Sequence, residues 1–479
     1  MLNNFQEFYN IIPLVILGAG ILISILIEMY SQKSERILPW FSIAMFLAAG
    51  FHALYNVNAT GVILQDMLAT GGNVNIFHFI FNFGAAIVCL LSIDYIKKYG
   101  VYYGEYYILI QASVLGMMLM AGAKDLIMIF MGLEVMSVCF YALAGLNRKK
   151  IKSNEASLKY FLLGAFATGF IVYGIALIYG TVQTTSIDVI VAKFQQLSGN
   201  ILFIAGMLLF LIGFSFKIAA FPFHMWVPDV YQGAPTTIAG LFSTGGKAAA
   251  FSAIIVTLGA VFIAGNIINI FQPYLAVIAL LSMLFGSIVA IAQTDIKRML
   301  AYSSISHAGY MAIGLAAGNY EGIAGIIFYL AAYTFMNLGA FGIVALIEGK
   351  EETNLDINSY SGLSSRSPML AAMLSLCMFS LAGLPPFAGF FGKYYVFIAA
   401  IKADLTWLAI VGVVSSAISV YFYLRIVVLM YFKESTGELE LEESSTGLLG
   451  VIISVLLVIV MGFLPGSVIN LISSFLNIY

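Results

Sequence analysis

The sequence predicts an all-α polytopic membrane protein with about 14 transmembrane helices. Of its 479 residues, 62% are hydrophobic and only 9% are charged, whereas about a quarter of the residues in a typical soluble domain are charged. Apolar runs of about 18 residues or more recur from one end of the chain to the other, and each is long enough to cross a hydrocarbon core about 30 Å thick. The linkers between these runs are short and leave no soluble domain.

We place 14 spans from the apolar runs, numbered in chain order. They lie at 9–29, 37–56, 75–95, 105–121, 125–146, 157–180, 200–224, 236–263, 272–292, 300–318, 322–347, 368–400, 407–431 and 447–472. The first apolar run follows the acidic Glu7 and has no small-residue cleavage site after it. We therefore interpret it as a spanning helix rather than as a signal peptide.

The distribution of Lys and Arg predicts the orientation. Alternate loops hold 14 of the 21 basic residues, and the opposite loops hold 3. Because cytoplasmic loops carry the excess of positive charge, we predict a bacterial inner-membrane protein with both termini on the periplasmic or outer side. The four remaining basic residues lie inside spans, and they are Lys159, Lys217, Lys247 and Lys393.

The cysteine pattern argues against metal sites, and the net charge gives no sign of a nucleic-acid partner. Cys89, Cys139 and Cys377 are isolated within apolar runs and form no CxxC pattern, so we predict neither an iron–sulfur cluster nor a zinc site, and no cofactor in this chain. The net charge of −2 gives no indication of nucleic-acid binding.

The lysines inside the spans are the first candidate functional residues. A charge at the centre of the bilayer costs at least about 2.5–3.5 kcal/mol on insertion scales and needs a partner or a water-filled cavity. Lys217, Lys247 and Lys393 lie too deep for easy snorkelling, so we interpret them as functional. Lys159 lies about one turn inside the cytoplasmic end of the sixth span, where snorkelling is an alternative explanation.

Buried lysines suit proton transfer. Burial lowers the pKa of an ammonium group and a nearby carboxylate raises it again, so moving one charge can switch a lysine between holding and releasing a proton. Glu134 lies in the middle of the fifth span, in DLIMIFMGLEVMSVCFYAL, and is the available carboxylate. A purely structural ion pair is the alternative interpretation.

Two histidines extend this set. His224 lies two residues after Pro222, where a neutral imidazole could relay protons between Lys217 and Lys247, although a packing role stays open. His307, in AYSSISHAGYMAIGL, is a second candidate because several serines surround it. We assign only packing roles to His52 and His78.

Prolines interrupt two spans near their middle. Pro222 lies in the seventh span, and Pro385 and Pro386 lie in the twelfth. Backbone groups freed at this depth are tolerated only where protein or water satisfies them. Paired interruptions of this kind indicate inverted repeats with ion sites near the midplane, whereas kinks that serve packing alone are the alternative.

We therefore predict four segments. The ranges are 1–100 for spans 1–3, 101–264 for the first five-helix repeat (spans 4–8), 265–432 for the second repeat (spans 9–13) and 433–479 for the last span.

Three motifs resemble the antiporter-like subunits of respiratory complex I. They are FKIAAFPFHMWVPDVYQGAPT followed by GGKAAAF, then DIKRMLAYSSISHAGYM, and then AGLPPFAGFFGKYYVF. The resemblance covers at least residues 100–430. It implies a membrane subunit that translocates protons while partner subunits transfer electrons from NADH to quinone, with no flavin, iron–sulfur cluster or quinone site of its own. The implied membrane neighbours are the small subunit K and subunit M.

The resemblance also implies a role for each candidate residue. Glu134 and Lys217 correspond to the coupling ion pair of a first half-channel. Lys247 corresponds to the central connecting residue, and His224 and Lys159 are expected to support it. Lys393 corresponds to the terminal lysine that faces the exit.

Details of the chain distinguish it from other members of the family. It stops soon after its last span, without the long lateral helix of subunit L, and it has Lys393 where subunit M is expected to have a glutamate. Two alternatives stay open, namely a subunit of a multisubunit cation/proton antiporter and the related membrane subunit of a hydrogenase or another dehydrogenase.

Overall fold

The structure is a computed structural model that describes residues 2–99, 104–259, 268–349, 353–434 and 444–476. Helices dominate it, which confirms the predicted all-α class, and the only β-structure in the described ranges is one short hairpin with a few isolated bridges. In the first half the elements are α1 (Leu2–Tyr30), α2 (Ser34–Tyr55), β1 (Gly61–Ile63), β2 (Leu68–Thr70), α3 (Gly72–Tyr99), α4 (Glu105–Gly122), α5 (Leu126–Ala144), α6 (Ile151–Val182), α7 (Ile187–Leu197), α8 (Ile201–Lys217) and α9 (Trp226–Gly233). β1 and β2 pair antiparallel, with Val62 opposite Ala69.

The second half contains the longer buried helices. Its elements are α10 (Thr236–Gly259), α11 (Ile268–Ile291), α12 (Ile296–Ala317), α13 (Tyr320–Ile347), a 3₁₀ turn (Ile357–Tyr360), α14 (Leu363–Arg366), α15 (Pro368–Ala382), α16 (Ala388–Lys402), α17 (Thr406–Phe432), α18 (Ser445–Phe463) and α19 (Pro465–Leu476). Within α10, two π-helical turns occupy Phe242–Gly246 and Ile255–Gly259.

The predicted count of 14 spans is not confirmed. Eleven helices of the described chain are long and apolar enough to cross a membrane. The other three predicted spans correspond to α8, to α12 and to the pair α15 and α16. The breaks leave α8 with 17 residues and α15 and α16 with 15 each, whereas α12 has 22 residues but a serine-rich, polar sequence. The last predicted span, 447–472, also differs from the structure. It is divided into two helices, because α18 ends at Phe463 and α19 begins at Pro465.

The first predicted interruption is present, and its freed backbone groups are satisfied by protein. α8 ends at Lys217, and the chain continues without regular helix until α9. The backbone N–H of Phe221 donates to Ser282 Oγ at 2.9 Å, and the Trp226 indole donates to the carbonyl of Phe216 at 3.2 Å. These bonds supply the partners that a helix broken inside a membrane requires.

The second interruption lies between α15 and α16. Gly383 follows α15 with φ +84°, a conformation that a residue with a side chain rarely adopts. The backbone N–H of Gly389 donates to Ser380 Oγ at 3.1 Å. Both interruptions therefore occur where the prolines predicted them, while the inverted repeats and the four segment boundaries stay predictions.

Small residues allow the helices to approach closely. A Cβ at Gly174 of α6 would lie 2.6 Å from the carbonyl oxygen of Gly206 on α8, and 2.8 Å from the backbone nitrogen of Phe210. Close contact of backbones at small residues is a common way to pack membrane helices, since lipid supplies no hydrophobic force between them. This contact fixes α8, and therefore Lys217 at its end, against α6.

We expect Gly174→Ala to destabilise the protein by about 1–3 kcal/mol, because the added methyl group overpacks the contact between α6 and α8. The measurement is the thermal unfolding midpoint of the purified protein in detergent. Gly180→Ala on the same helix is the matched control, since nothing lies within 4 Å of its added Cβ. Equal midpoints for the two variants would contradict the close contact.

Candidate functional site

The four lysines of the predicted spans separate into three buried residues and one at the surface. Lys217, Lys247 and Lys393 are 5%, 1% and 4% exposed. The side chain of Lys159 is 40% exposed. Three of the four lysines are therefore enclosed by the protein, and Lys159 belongs to a different environment.

Lys217 is held by hydroxyl groups of α5. Its Nζ donates to Ser137 Oγ at 2.9 Å and to Tyr141 OH at 3.3 Å. Ser137 and Tyr141 follow Glu134 by three and seven residues and so share its helix face. Neither residue was predicted, although its spacing from Glu134 is a signal in the sequence that could have identified it.

Glu134 lies on the same face but does not contact Lys217 directly. Its Oε1 accepts a hydrogen bond from Thr168 Oγ1 of α6 at 2.9 Å. Glu134 and Lys217 interact electrostatically, but within the described ranges they form no ion pair at 4.0 Å or less. In this conformation, neutral hydroxyls rather than the carboxylate bind the ammonium group.

Lys247 lies at the centre of the most enclosed helix. α10 is fully buried, and Lys247 follows its first π-helical turn directly. π-turns inside α-helices are frequent at functional sites. The Lys247 Nζ donates to the backbone carbonyl of Ser304 on α12 and lies 6.0 Å from the centre of the Tyr333 ring.

His307 lies one helical turn beyond Ser304. Its Nδ1 is 2.7 Å from Tyr329 OH, and its Nε2 is 3.0 Å from Tyr423 OH. Both Lys247 and Lys393 act on it electrostatically. α12 therefore carries an imidazole, bonded on both sides to hydroxyls, between the two buried lysines.

Lys393 of α16 binds groups at the break between α15 and α16. Its Nζ donates to the carbonyls of Leu381 and Ala382, at 3.3 and 2.8 Å, and to Ser416 Oγ at 2.8 Å. The Nζ also lies 4.7 Å from the centre of the Tyr310 ring on α12. The carbonyls that the break frees are thus the partners that hold this ammonium group.

Hydroxyl groups continue the polar region between α12 and Lys393. Tyr310 OH donates to Ser415 Oγ at 3.2 Å, and Ser415 and Ser306 are both hydrogen bonded to Ser287, at 3.0 and 2.9 Å. The serines near His307 in the sequence are Ser303, Ser304 and Ser306, whereas the tyrosines and the serines of α11 and α17 were not predicted.

His224 does not bond to either lysine that it was predicted to connect. It is 6% exposed and lies between the rings of Phe221 and Phe285, whose centroids are 5.3 and 4.5 Å from its own. Its Nδ1 is buried without a hydrogen-bond partner in the described chain. A relay through His224 therefore needs a group that bridges to it.

Lys159 lies in an ion cluster at the end of the bundle that holds the predicted cytoplasmic loops. Its Nζ is 2.6 Å from Asp229 Oδ2 and 2.6 Å from Glu155 Oε1. Arg298 donates to Asp229 Oδ1 at 2.8 Å and to Gln232 Oε1 at 3.0 Å. Asp229 thus connects α6, α9 and α12.

The groups of this arrangement carry exchangeable protons and charge. Among the described residues, no group of three or more His, Cys, Asp or Glu side chains could hold a metal ion. Hydroxyls and one imidazole lie between the ammonium groups of Lys247 and Lys393, and each of these groups can accept or donate a proton. A multi-pass membrane protein with such a site belongs to the class of ion-translocating membrane subunits.

The chain belongs to the NADH:quinone oxidoreductase/Mrp antiporter transmembrane family, whose family model matches residues 123–419. The NADH-quinone oxidoreductase subunit N of Trichlorobacter lovleyi is 46% identical over 433 residues, covering 90% of this chain and 88% of that protein. The resemblance found in the sequence is therefore confirmed, and it extends to subunit N, the counterpart of mitochondrial subunit 2.

Solved structures agree with this family. A chain of respiratory complex I from Thermus thermophilus, with bound aureothin, has a TM-score of 0.81 and 30% identity, covering 96% of this chain and 98% of that chain. A chain of the Mrp complex from Dietzia sp. has a TM-score of 0.87 at 18% identity, covering 98% and 97%. The second likeness shows the fold alone.

The charge of Asp229 provides a test of the ion cluster. Partial burial acts to raise the pKa of Asp229, but the hydrogen bonds and charges of Lys159 and Arg298 outweigh it and hold the pKa below its usual value. The native state therefore binds fewer protons than the unfolded chain, and the stabilisation is lost as the pH falls through and below the usual aspartate value of about 4.

We expect Asp229→Asn to lower the thermal unfolding midpoint at pH 7, and the difference from the unsubstituted protein to shrink as the pH is lowered toward 3. The exposed Asp404 supplies the control substitution, Asp404→Asn. A difference that stays constant over this pH range would show that the charge of Asp229 does not stabilise the fold.

Proposed function

We propose that this chain is the proton-translocating subunit N of an NADH-quinone oxidoreductase. The observation that carries the proposal is the set of three enclosed lysines with neutral partners, Lys217, Lys247 and Lys393, in a chain 46% identical to a protein of that name. A spacer in the membrane has no reason to bear the cost of inserting three charges.

Proton transfer would use the groups in the order in which they lie. Lys217 would respond to the charge of Glu134, which interacts with it across Ser137 and Tyr141. A change at Glu134, or in its bond to Thr168, would alter how firmly Lys217 holds its proton. Electrostatic coupling of this kind needs no direct contact between the two charged groups.

The second part of the path would run along α12. Lys247 and Lys393 both act on His307, which is hydrogen bonded to two tyrosine hydroxyls. A neutral imidazole can accept a proton at one nitrogen and release one from the other. His307 would in this way connect the central lysine to the terminal lysine, which we assign to the exit.

The redox chemistry would take place in partner subunits. We propose that electrons pass from NADH to quinone outside this chain, and that subunits K and M are its neighbours in the bacterial inner membrane, with both termini on the outer side. Protons are the proposed coupling ion rather than Na⁺, because the buried sites consist of lysines with few carboxylates and sodium prefers oxygen ligands.

The alternative of a multisubunit cation/proton antiporter has weaker support. The likeness to the Mrp complex is one of fold, at 18% identity, whereas relatives named subunit N are 46% and 42% identical over most of the chain. Genes for complex I subunits beside this one would support the proposal, and genes for antiporter subunits would support the alternative.

The decisive variant is Lys217→Ala in the assembled complex, reconstituted in sealed vesicles. We expect NADH–quinone turnover and the pH gradient to fall by about tenfold or more, since a positioned proton-transfer group typically contributes at least that factor. Lys402→Ala is the matched control, because Lys402 is 56% exposed and pairs with Glu321 at the surface. Normal turnover together with a normal gradient would exclude Lys217 as a proton carrier.

A milder variant tests the hydroxyl that holds Lys217. A hydrogen bond to a charged group contributes about 1.5–3 kcal/mol, so Ser137→Ala should change the proton affinity of Lys217 and reduce turnover by about tenfold. Ser198→Ala, at an exposed position, serves as its control. If the two serine variants have the same turnover, Ser137 does not set the properties of Lys217.

A further inference from the structure

Glu348 is a buried carboxylate that the lysine path does not use. It directly follows α13 and is only 1% exposed. Its Oε2 accepts hydrogen bonds from Thr236 Oγ1 at 2.6 Å and from Tyr95 OH at 3.2 Å. Its Oε1 is buried without a hydrogen-bond partner among the described residues, and no cation in those ranges forms an ion pair with it.

A cleft at the protein surface is lined by Tyr95, which donates a hydrogen bond to Glu348. The cleft lies beside the predicted cytoplasmic loops and is lined in part by Asp94, Tyr95, Lys98 and Ser444. Tyr95 therefore lines the cleft and also donates to Glu348 Oε2. Tyr95 is therefore the residue that joins the cleft to the carboxylate.

A polar seam connects Glu348 to Lys247 along the contact between α10 and α13. At one end Thr236 bonds to Glu348, in the middle Asn337 bonds to Ser243, and at the other end Lys247 lies over the Tyr333 ring. On α10 the three positions are 236, 243 and 247, and on α13 they are 348, 337 and 333. Spacings of 11 and 15 residues keep the α13 set on one helix face, and the contacts themselves place the α10 set along it.

Atoms along the seam are able to bind further polar groups. Asn337 Oδ1, Tyr333 OH, Ser304 Oγ and Tyr231 OH are buried and have no hydrogen-bond partner within the described chain. Buried polar atoms are as a rule hydrogen bonded to protein or to ordered water, and a buried water needs two to four such partners. The seam supplies these partners close to Lys247.

We propose that Glu348 is a second proton-accepting carboxyl group, which takes protons from the cytoplasmic-side cleft through Tyr95 and passes them along the α10–α13 seam to Lys247. The Tyr95 phenol passes its proton to Oε2 of the carboxylate and takes one back from the cleft, and the carboxyl proton later leaves toward the seam, so that only O–H bonds form and break. The inference rests on the proposed function of the chain, because it supplies protons to the central lysine of that path.

The other ionisable groups around Glu348 leave this role to the carboxylate. Tyr360 lies in the 3₁₀ turn beside it and interacts with it electrostatically, and burial holds the pKa of Tyr360 well above its usual value, so that its phenol stays neutral. Lys297 is buried on α12, but it donates to the carbonyl of Ala234 at 2.7 Å. Both groups therefore leave the Glu348 carboxylate free to accept a proton.

The test compares Glu348→Gln with Glu105→Gln in the assembled complex in sealed vesicles. Glutamine keeps an acceptor oxygen for Thr236 and Tyr95 but cannot carry the proton, whereas Glu105 is an exposed acid near the same predicted side. We expect E348Q to reduce NADH–quinone turnover and the pH gradient by about tenfold or more, with Glu348→Asp restoring most of the activity. If E348Q has the activity of E105Q, Glu348 has only a structural role through its hydrogen bonds to Thr236 and Tyr95, and the proposal is wrong.

Tyr95→Phe is a second test variant for the case that the complex with E348Q fails to assemble. This variant keeps the ring and removes only the hydroxyl that joins the cleft to Glu348, so we expect a similar loss, and normal pumping would overturn the proposal. Lys247→Met distinguishes a failure of the Glu348 proposal from a failure of the lysine path. Loss of pumping in K247M with normal pumping in E348Q would reject Glu348 alone, whereas normal pumping in K247M would reject the lysine path itself.

Discussion

The structure depends on holding three ammonium groups inside a membrane with neutral ligands. Lys217 is bound by two hydroxyls, Lys247 by a backbone carbonyl, and Lys393 by two carbonyls and a hydroxyl. A carboxylate in direct contact would fix each charge strongly, since a desolvated ion pair is costly to break. Neutral dipoles stabilise an ammonium group less, so a change of one charge nearby is sufficient to alter its protonation.

Interrupted helices supply these neutral ligands. A regular helix uses its backbone carbonyls internally, but the break after α15 frees the carbonyls of Leu381 and Ala382 for Lys393. In α10, the π-turn directly before Lys247 changes the helical repeat at that point. Helical irregularities and the charged residues are therefore parts of one arrangement, in which each lysine lies at or beside a departure from regular helix.

The sequence was sufficient for the class of fold and for Lys217, Lys247 and Lys393. It did not indicate that Lys297 and Glu348 are buried. Apolar runs of spanning length and four lysines inside them are rare enough to be recognised without a structure, and Pro222, Pro385 and Pro386 located both breaks. The partners of the lysines could not be predicted, because serine, threonine and tyrosine are common in membrane helices and only packing brings Ser137 or Ser416 to an ammonium group. Burial likewise separates Lys159, half-exposed among carboxylates, from the three enclosed lysines.

α12 shows why a polar helix can occupy the centre of this protein. Its sequence is too polar for a span exposed to lipid, yet nearly every residue of α12 is buried among other helices. The insertion cost of polar groups is avoided where protein satisfies them, as Tyr329 and Tyr423 do for His307. Peripheral helices such as α1, α6 and α17 are much less buried by the protein. α11, α13 and α16 pack directly against α12, and that shielding allows one helix to carry a row of proton-exchanging groups between two lysines.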